Sequence, residues 1–171
     1  SKGIEVREEF FGRALAQRLV AEGRAADLTA ANNVLAHVPD INDFVAGFAC
    51  LMKPSGIATF EFPHLLQLLT ECQFDTIYHE HFSYLSFLAV EKVFAHHGLT
   101  LFDVEEVSTH GGSLRIFARH TASTDPRLAV TPRVAAMREV GFVIRRAHHP
   151  AQHPEPAPQP HVLARRSGCL R

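Results

Sequence analysis

The sequence predicts an α/β fold, and three observations carry that expectation. Short strand-like apolar runs alternate along the chain with longer stretches of helical periodicity. The last two strand-like runs are separated by His110-Gly111-Gly112, whose glycines suit a tight antiparallel connection. The composition, 46% hydrophobic and 20% charged over 171 residues, is that of one globular domain of ordinary size.

The elements follow in order. Residues 2–6 alternate and suit a short strand. Residues 8–22 read as a helix, with Phe11, Leu15 and Leu19 spaced four apart and Gly23 as its stop. Residues 26–33 are small and mostly apolar, a buried strand ending at Asn32-Asn33. Asp40 is a good N-cap for a helix whose face is Ile41, Phe44, Val45, Phe48, Leu51 and Met52. Pro54-Ser55-Gly56 reads as a turn. Residues 57–62 form a strand with Ala58, Phe60 and Phe62 on one side, and Pro63 ends it. Residues 64–71 suit a short helix. Ser86 caps another that runs to His97, with Gly98 just past its end. Residues 99–107 and 113–119 complete the strand set. After about Glu139 the periodicity is lost. Pro150, Pro154, Pro156, Pro158 and Pro160 mix with His, Gln and Arg, so residues 141–171 are expected to form a disordered or extended tail.

Charge and cysteine usage narrow the classes. A formal net charge of −1 leaves no electrostatic footprint for nucleic acid or an anionic membrane. Cys50, Cys72 and Cys169 are odd in number and far apart, which argues against a disulfide framework or a cysteine zinc site and for a reducing compartment. The chain contains no apolar run of about 18 residues and no basic-then-apolar leader pattern, so the expected location is cytoplasmic.

The densest chemistry is Tyr78-His79-Glu80-His81, set between apolar neighbours. It places a phenol, two imidazoles and a carboxylate in consecutive positions. Imidazole is the side chain that most readily takes and returns a proton near neutral pH, and a neighbouring carboxylate can orient it. A surface loop would also carry such groups. On a strand, His79 and His81 would share a face while Glu80 pointed away, so a metal site there would need a third ligand. Acid–base work by His81 with Tyr78 and Glu80 is the better chemical reading. Asn32, Asn33 and His37 stand beyond the end of a predicted buried strand, where ligands bind in open α/β sheets. His64 occupies the corresponding place after the next strand. Each of these also has an alternative role, satisfying exposed backbone at a strand end.

Four segments together resemble a known family. Residues 28–40, ending in His37-Val38-Pro39-Asp40, come first. Glu61-Phe62-Pro63-His64-Leu65 follows, then residues 74–86, then Thr109-His110-Gly111-Gly112-Ser113-Leu114-Arg115. In this order and at similar spacing they resemble the S-adenosylmethionine-dependent sugar C-methyltransferases, over roughly residues 2–140. The resemblance implies a partial Rossmann-like class I methyltransferase fold. Residues 1–76 would belong to the cofactor-binding domain and 77–140 to the start of the substrate region. It implies S-adenosylmethionine as cofactor, with Asn32 and Asn33 near it, and a nucleoside-diphosphate 4-keto-6-deoxysugar as substrate. His81 would remove the sugar's C3 proton to give an enolate that attacks the cofactor's methyl group. Tyr78, Glu80 and His37 would share the catalytic pocket, and His64 and His110 would approach the sugar. No metal is implied at these residues.

The chain also departs from the family pattern. It shows neither the cysteine-rich module nor the glycine-rich cofactor loop that open family members, so it is expected to lack the first two strands of the sheet. Two readings therefore stand beside the enzyme: an inactive fragment, and a non-catalytic module that binds a sugar nucleotide.

Overall fold

The computed structural model describes Gly3 and residues 5–148 of the chain, with side chains to Gly141. Nine regular elements follow one another: α1 (Arg13–Ala21), β1 (Ala26–Asn32), α2 (Ile41–Leu51), β2 (Met52–Pro63), α3 (Leu65–Thr70), α4 (Phe87–His96), β3 (Leu99–Val107), β4 (Ser113–His120) and α5 (Pro132–His148). The four strands form one mixed sheet in the order β1-β2-β4-β3. β1 and β2 are parallel and joined through α2, while β4 runs antiparallel to both β2 and β3. This is the predicted α/β architecture, a Rossmann-like βαβ unit extended by a hairpin. The β2–β4 pairing joins residues on both sides of the 76/77 division into one sheet.

The core lies on one face of that sheet. Ala58, Phe60 and Phe62 of β2 are fully buried there, as their shared parity requires. They meet Leu114, Ile116 and Ala118 of β4, and Leu101 and Val104 of β3. Helices α2, α4 and α5 cover this layer with Phe44, Val45, Phe48, Val90, Phe94, Val134 and Met137. A run of ring contacts crosses it, with Phe11–Phe48 and Phe48–Phe60 at 4.7 Å and Phe60–Phe94 at 4.8 Å between centroids. Such tilted and edge-on pairs add roughly 0.5–1.5 kcal/mol each beyond area burial.

Local signals explain the helix ends. The Asp40 carboxylate accepts from the backbone N–H groups of Asn42 and Asp43, both at 3.0 Å, and so starts α2. Ser86 Oγ accepts from Ala89 N at 3.3 Å and starts α4. Gly98 follows α4 at φ +72°, where a glycine carries no steric penalty.

Four expectations are corrected. In the segment 2–6, Glu5 and Val6 are irregular and exposed rather than in a strand, and Lys2 and Ile4 lie outside the described residues. α1 starts at Arg13, not near Glu8. Pro54-Ser55-Gly56 does not separate two elements. It lies within β2, where the register slips between the Ala26–Met52 and Leu28–Ile57 pairs and the extra residues are absorbed as a bulge. Helix α5 continues to His148, into the segment read as tail. Ala and Arg are good helix formers even where an apolar stripe fades. The rest of the predicted tail, residues 149–171, lies outside the described residues.

Candidate functional site

Three connections meet at the carboxyl ends of β1 and β2: residues 33–37 after β1, residues 73–84 after α3, and the turn 109–112 between β3 and β4. They enclose a cavity of about 540 Å³ lined by Asn33, His37, Tyr78, His81, His110 and Gln73, among others. A larger cavity of about 820 Å³ lies at the opposite end of the sheet, against Met52, Pro54 and Ser123. The smaller one concentrates the titratable groups.

The central motif is a turn, not a strand. His81 N donates to Tyr78 O at 3.1 Å, which folds residues 78–81 back on themselves. His79 and Glu80 are carried to the exposed tip. The segment is thus not the strand on which His79 and His81 would share a face. Tyr78 and His81 come together instead, with ring centroids 4.3 Å apart. The next residues dock on the β1 side, where Phe82 N and Ser83 N both donate to Ala36 O, at 2.9 and 3.2 Å. That contact brings the His37 and His81 rings to 4.7 Å.

Backbone carbonyls fix the protons on both imidazoles. His81 Nδ1 lies 3.0 Å from Thr76 O, and His37 Nδ1 lies 3.0 Å from Glu80 O. A carbonyl oxygen only accepts, so each Nδ1 is a donor, and in the neutral ring the lone pair is on Nε2. Glu80 thus contributes its backbone to His37, while its carboxylate is exposed and outside the cavity lining.

The turn after β3 supplies the opposite wall. His110 sits at φ +52° and Asn33 at φ +54°, and Asn33 Nδ2 lies 3.1 Å from His110 Nε2. Asn33 Oδ1 is buried without a hydrogen-bond partner. Gln73 Nε2 donates to Gly111 O at 2.6 Å and ties this turn to the 73–84 segment. Asn32, at the last position of β1, is exposed and outside the cavity lining.

His64 has a different place. It is 4% exposed, its backbone N–H donates to Gly112 O at 3.1 Å, and it lies outside the cavity lining. Its Nδ1 is buried with no partner. Burial pushes its pKa down to about 4, so the ring is neutral at ordinary pH. Among the described residues no group of three or more His, Cys, Asp or Glu side chains is placed to hold a metal ion, and no helix is long and apolar enough to cross a membrane.

Sequence reasoning missed Gln73, Asp75 and Thr76 as cavity residues. Thr76 acts through its carbonyl, which no side-chain pattern reveals. It also missed Glu61, which is 4% exposed and accepts from Thr109 Oγ1 and Arg115 Nη2, each at 2.8 Å. These donors, Arg115 foremost, hold the Glu61 carboxyl below the usual carboxylate range. The available signal was a carboxylate set between Phe60 and Phe62, two residues of a strand's apolar face.

Comparison with known proteins adds a relationship. The chain is 35% identical over 142 residues to the C-methyltransferase NovU of Streptomyces niveus, which covers 82% of this chain. It spans 34% of that protein's length. No family model matches. Solved structures with partial likeness include the PH0226 protein of Pyrococcus horikoshii, at 16% identity and TM-score 0.47 over 57% of this chain and 52% of that one. An S-adenosylmethionine-dependent methyltransferase of Clostridium acetobutylicum is 11% identical at TM-score 0.45, over 60% of this chain and 68% of its own.

Proposed function

The chain belongs to the C-methyltransferase family, and from that premise we propose that its site serves S-adenosylmethionine-dependent C-methylation of a nucleotide-linked keto-deoxysugar. One observation carries the reading. His81 lines a cavity shared with His37, Tyr78 and His110, and Thr76 O lies 3.0 Å from its Nδ1, an arrangement that leaves the lone pair of the neutral ring on Nε2.

The chemistry follows from that placement. A C–H bond next to a ketone is acidified because the electrons left behind spread onto the carbonyl oxygen. His81 Nε2 takes the proton from C3, and the sugar becomes an enolate whose charge rests on the C4 oxygen. A donor near that oxygen lowers the barrier. The Tyr78 hydroxyl and the His110 ring are the candidates among the lining residues. His37, whose ring centroid is 4.7 Å from that of His81, passes the abstracted proton onward. The methyl donor, when bound, supplies an electrophilic methyl group. The part of its site found in this chain is the end of β1, where the buried, unpartnered Oδ1 of Asn33 suits a hydrogen-bond donor of the ligand. Asn32 is its neighbour on the exposed side. The expected setting is a cytoplasmic biosynthetic one, since activated sugars are made there.

Deprotonation is testable without a methyl donor. The protein is incubated in D₂O with thymidine-diphospho-4-keto-6-deoxyglucose, and exchange of the C3 hydrogen is followed by proton NMR. Exchange above the uncatalysed rate supports the reading. Binding of the sugar nucleotide without exchange would favour the non-catalytic module.

A further inference from the structure

We propose that Glu61 is a positioning residue that holds Asn33 and His110 against each other at the cavity wall, and so sets where the substrate's carbonyl oxygen is received. This rests on the C-methyltransferase reading above.

Asn33 and His110 are 77 positions apart, yet their side chains lie within hydrogen-bond distance at 3.1 Å. Both residues occupy the left-handed region, at φ +54° and +52°. For residues with a Cβ that conformation costs roughly 1–2 kcal/mol each, and it persists only where surrounding contacts over-determine it. Glu61 supplies those contacts on both sides. Its backbone carbonyl accepts from Asn33 N at 2.8 Å. Its Oε1 accepts from the hydroxyl of Thr109, next to His110, at 2.8 Å. Its Oε2 is taken by Arg115 Nη2, also at 2.8 Å, and this fixes the carboxylate plane. The sheet register makes the arrangement possible, since Glu61 pairs with Asn32 on one side and with Arg115 on the other. One residue thus anchors the strand end that carries Asn33 and the turn that carries His110.

The pair has a chemical consequence. Asn33 Nδ2 is a donor, so the Nε2 it meets is the acceptor nitrogen of His110 and the His110 proton sits on Nδ1. A neutral His110 is thereby kept as a donor rather than a second base. Its use toward the C4 oxygen depends on Glu61 holding the turn still.

Thr109 gives the clean test, because its side chain is at an exposed turn and its hydroxyl is the link. Thr109→Val removes the donor and Thr109→Ser keeps it, with Glu61→Gln as a second probe. Two readouts are taken. The first is the NOE between the Asn33 side-chain amide and His110 Hε1 in the ligand-free protein. The second is C3 exchange at saturating thymidine-diphospho-4-keto-6-deoxyglucose. In Thr109→Val the NOE should vanish and saturated exchange should fall by about tenfold or more, with the melting temperature within about 2 °C of the parent. Thr109→Ser should restore both. Retention of the NOE and of exchange within about twofold in Thr109→Val would overturn the proposal. If the parent shows no exchange at all, the enzymatic reading fails. The NOE then decides the latch alone, its loss in Val and return in Ser supporting it and its persistence in Val refuting it.

Discussion

His81 Nδ1 lies 3.0 Å from the carbonyl oxygen of Thr76, five residues earlier in the same loop. The bond is local, so the loop fixes the imidazole's proton before any ligand arrives. A base whose tautomer is set by backbone needs no carboxylate partner. That explains how the Glu80 carboxylate, the obvious orienting group in the sequence, can be exposed.

The first prediction concerns the base proposed for the site. His81→Gln keeps a polar side chain but has no lone pair of comparable basicity. C3 exchange of the keto-sugar nucleotide should fall by about 10²-fold or more. Its dissociation constant, measured by calorimetry, should stay within about threefold. Unchanged exchange would remove His81 from the role.

The second concerns acid stability. His64 is held at about 4 in the folded protein against an ordinary 6.5. Below pH 6.5 the unfolded chain therefore binds a proton that the folded chain does not. Stability is complete above that value and is lost as pH falls from 6.5 to 4, by about 3 kcal/mol across the window. His64→Leu should flatten this part of the profile in urea melts taken at successive pH values. An unaltered slope would show that His64 is not its source.

The third concerns the glycine turn. Gly112 sits at φ +112°, and a Cβ there would lie 2.7 Å from Gln67 Cγ. Gly112→Ala should cost about 1–3 kcal/mol and displace His110. Calorimetry should then show weaker sugar-nucleotide binding alongside the lower melting temperature. Parent-like binding and stability would mean that the turn relaxes freely.

What the sequence disclosed, and what it hid, follows from the range of the interactions involved. Helix α2 was legible because Asp40 and the apolar positions from Ile41 to Leu51 act within one element. β2 was legible because the alternation of Ala58, Phe60 and Phe62 is local. The bulge at residues 53–56 was not, since Pro-Ser-Gly favours a turn in isolation and only pairing with β1 draws it into a strand. His37, His81 and His110 were found as chemical types. Their meeting depends on Ala36 O receiving Phe82 N and on the Asn33–His110 contact, both set by the fold. His64 was placed by analogy with His37. The parallel bridge between His64 and Leu85 instead puts it beneath the turn.

The last prediction tests the ion pair under the site. Arg115 donates to Glu61 at 2.8 Å, the Glu61 side chain is 6% exposed, and Glu105 lies beyond at 3.7 Å from the same guanidinium. Removing the Arg charge leaves a nearly buried carboxylate with only the Thr109 hydroxyl bound to it. Arg115→Met preserves the aliphatic stem and should destabilise the fold by about 2–3 kcal/mol at neutral pH. The sign of the pH dependence follows from the lowered carboxyl pKa. The pair stabilises above the ordinary carboxylate value, and that stability is lost as pH falls through the folded one. The deficit of Arg115→Met should therefore shrink in acid, where Glu61 is neutral in both proteins. Chemical denaturation at neutral and acid pH measures it. A deficit equal at both would assign the effect to lost packing of the Arg115 stem instead of to the charge on Glu61.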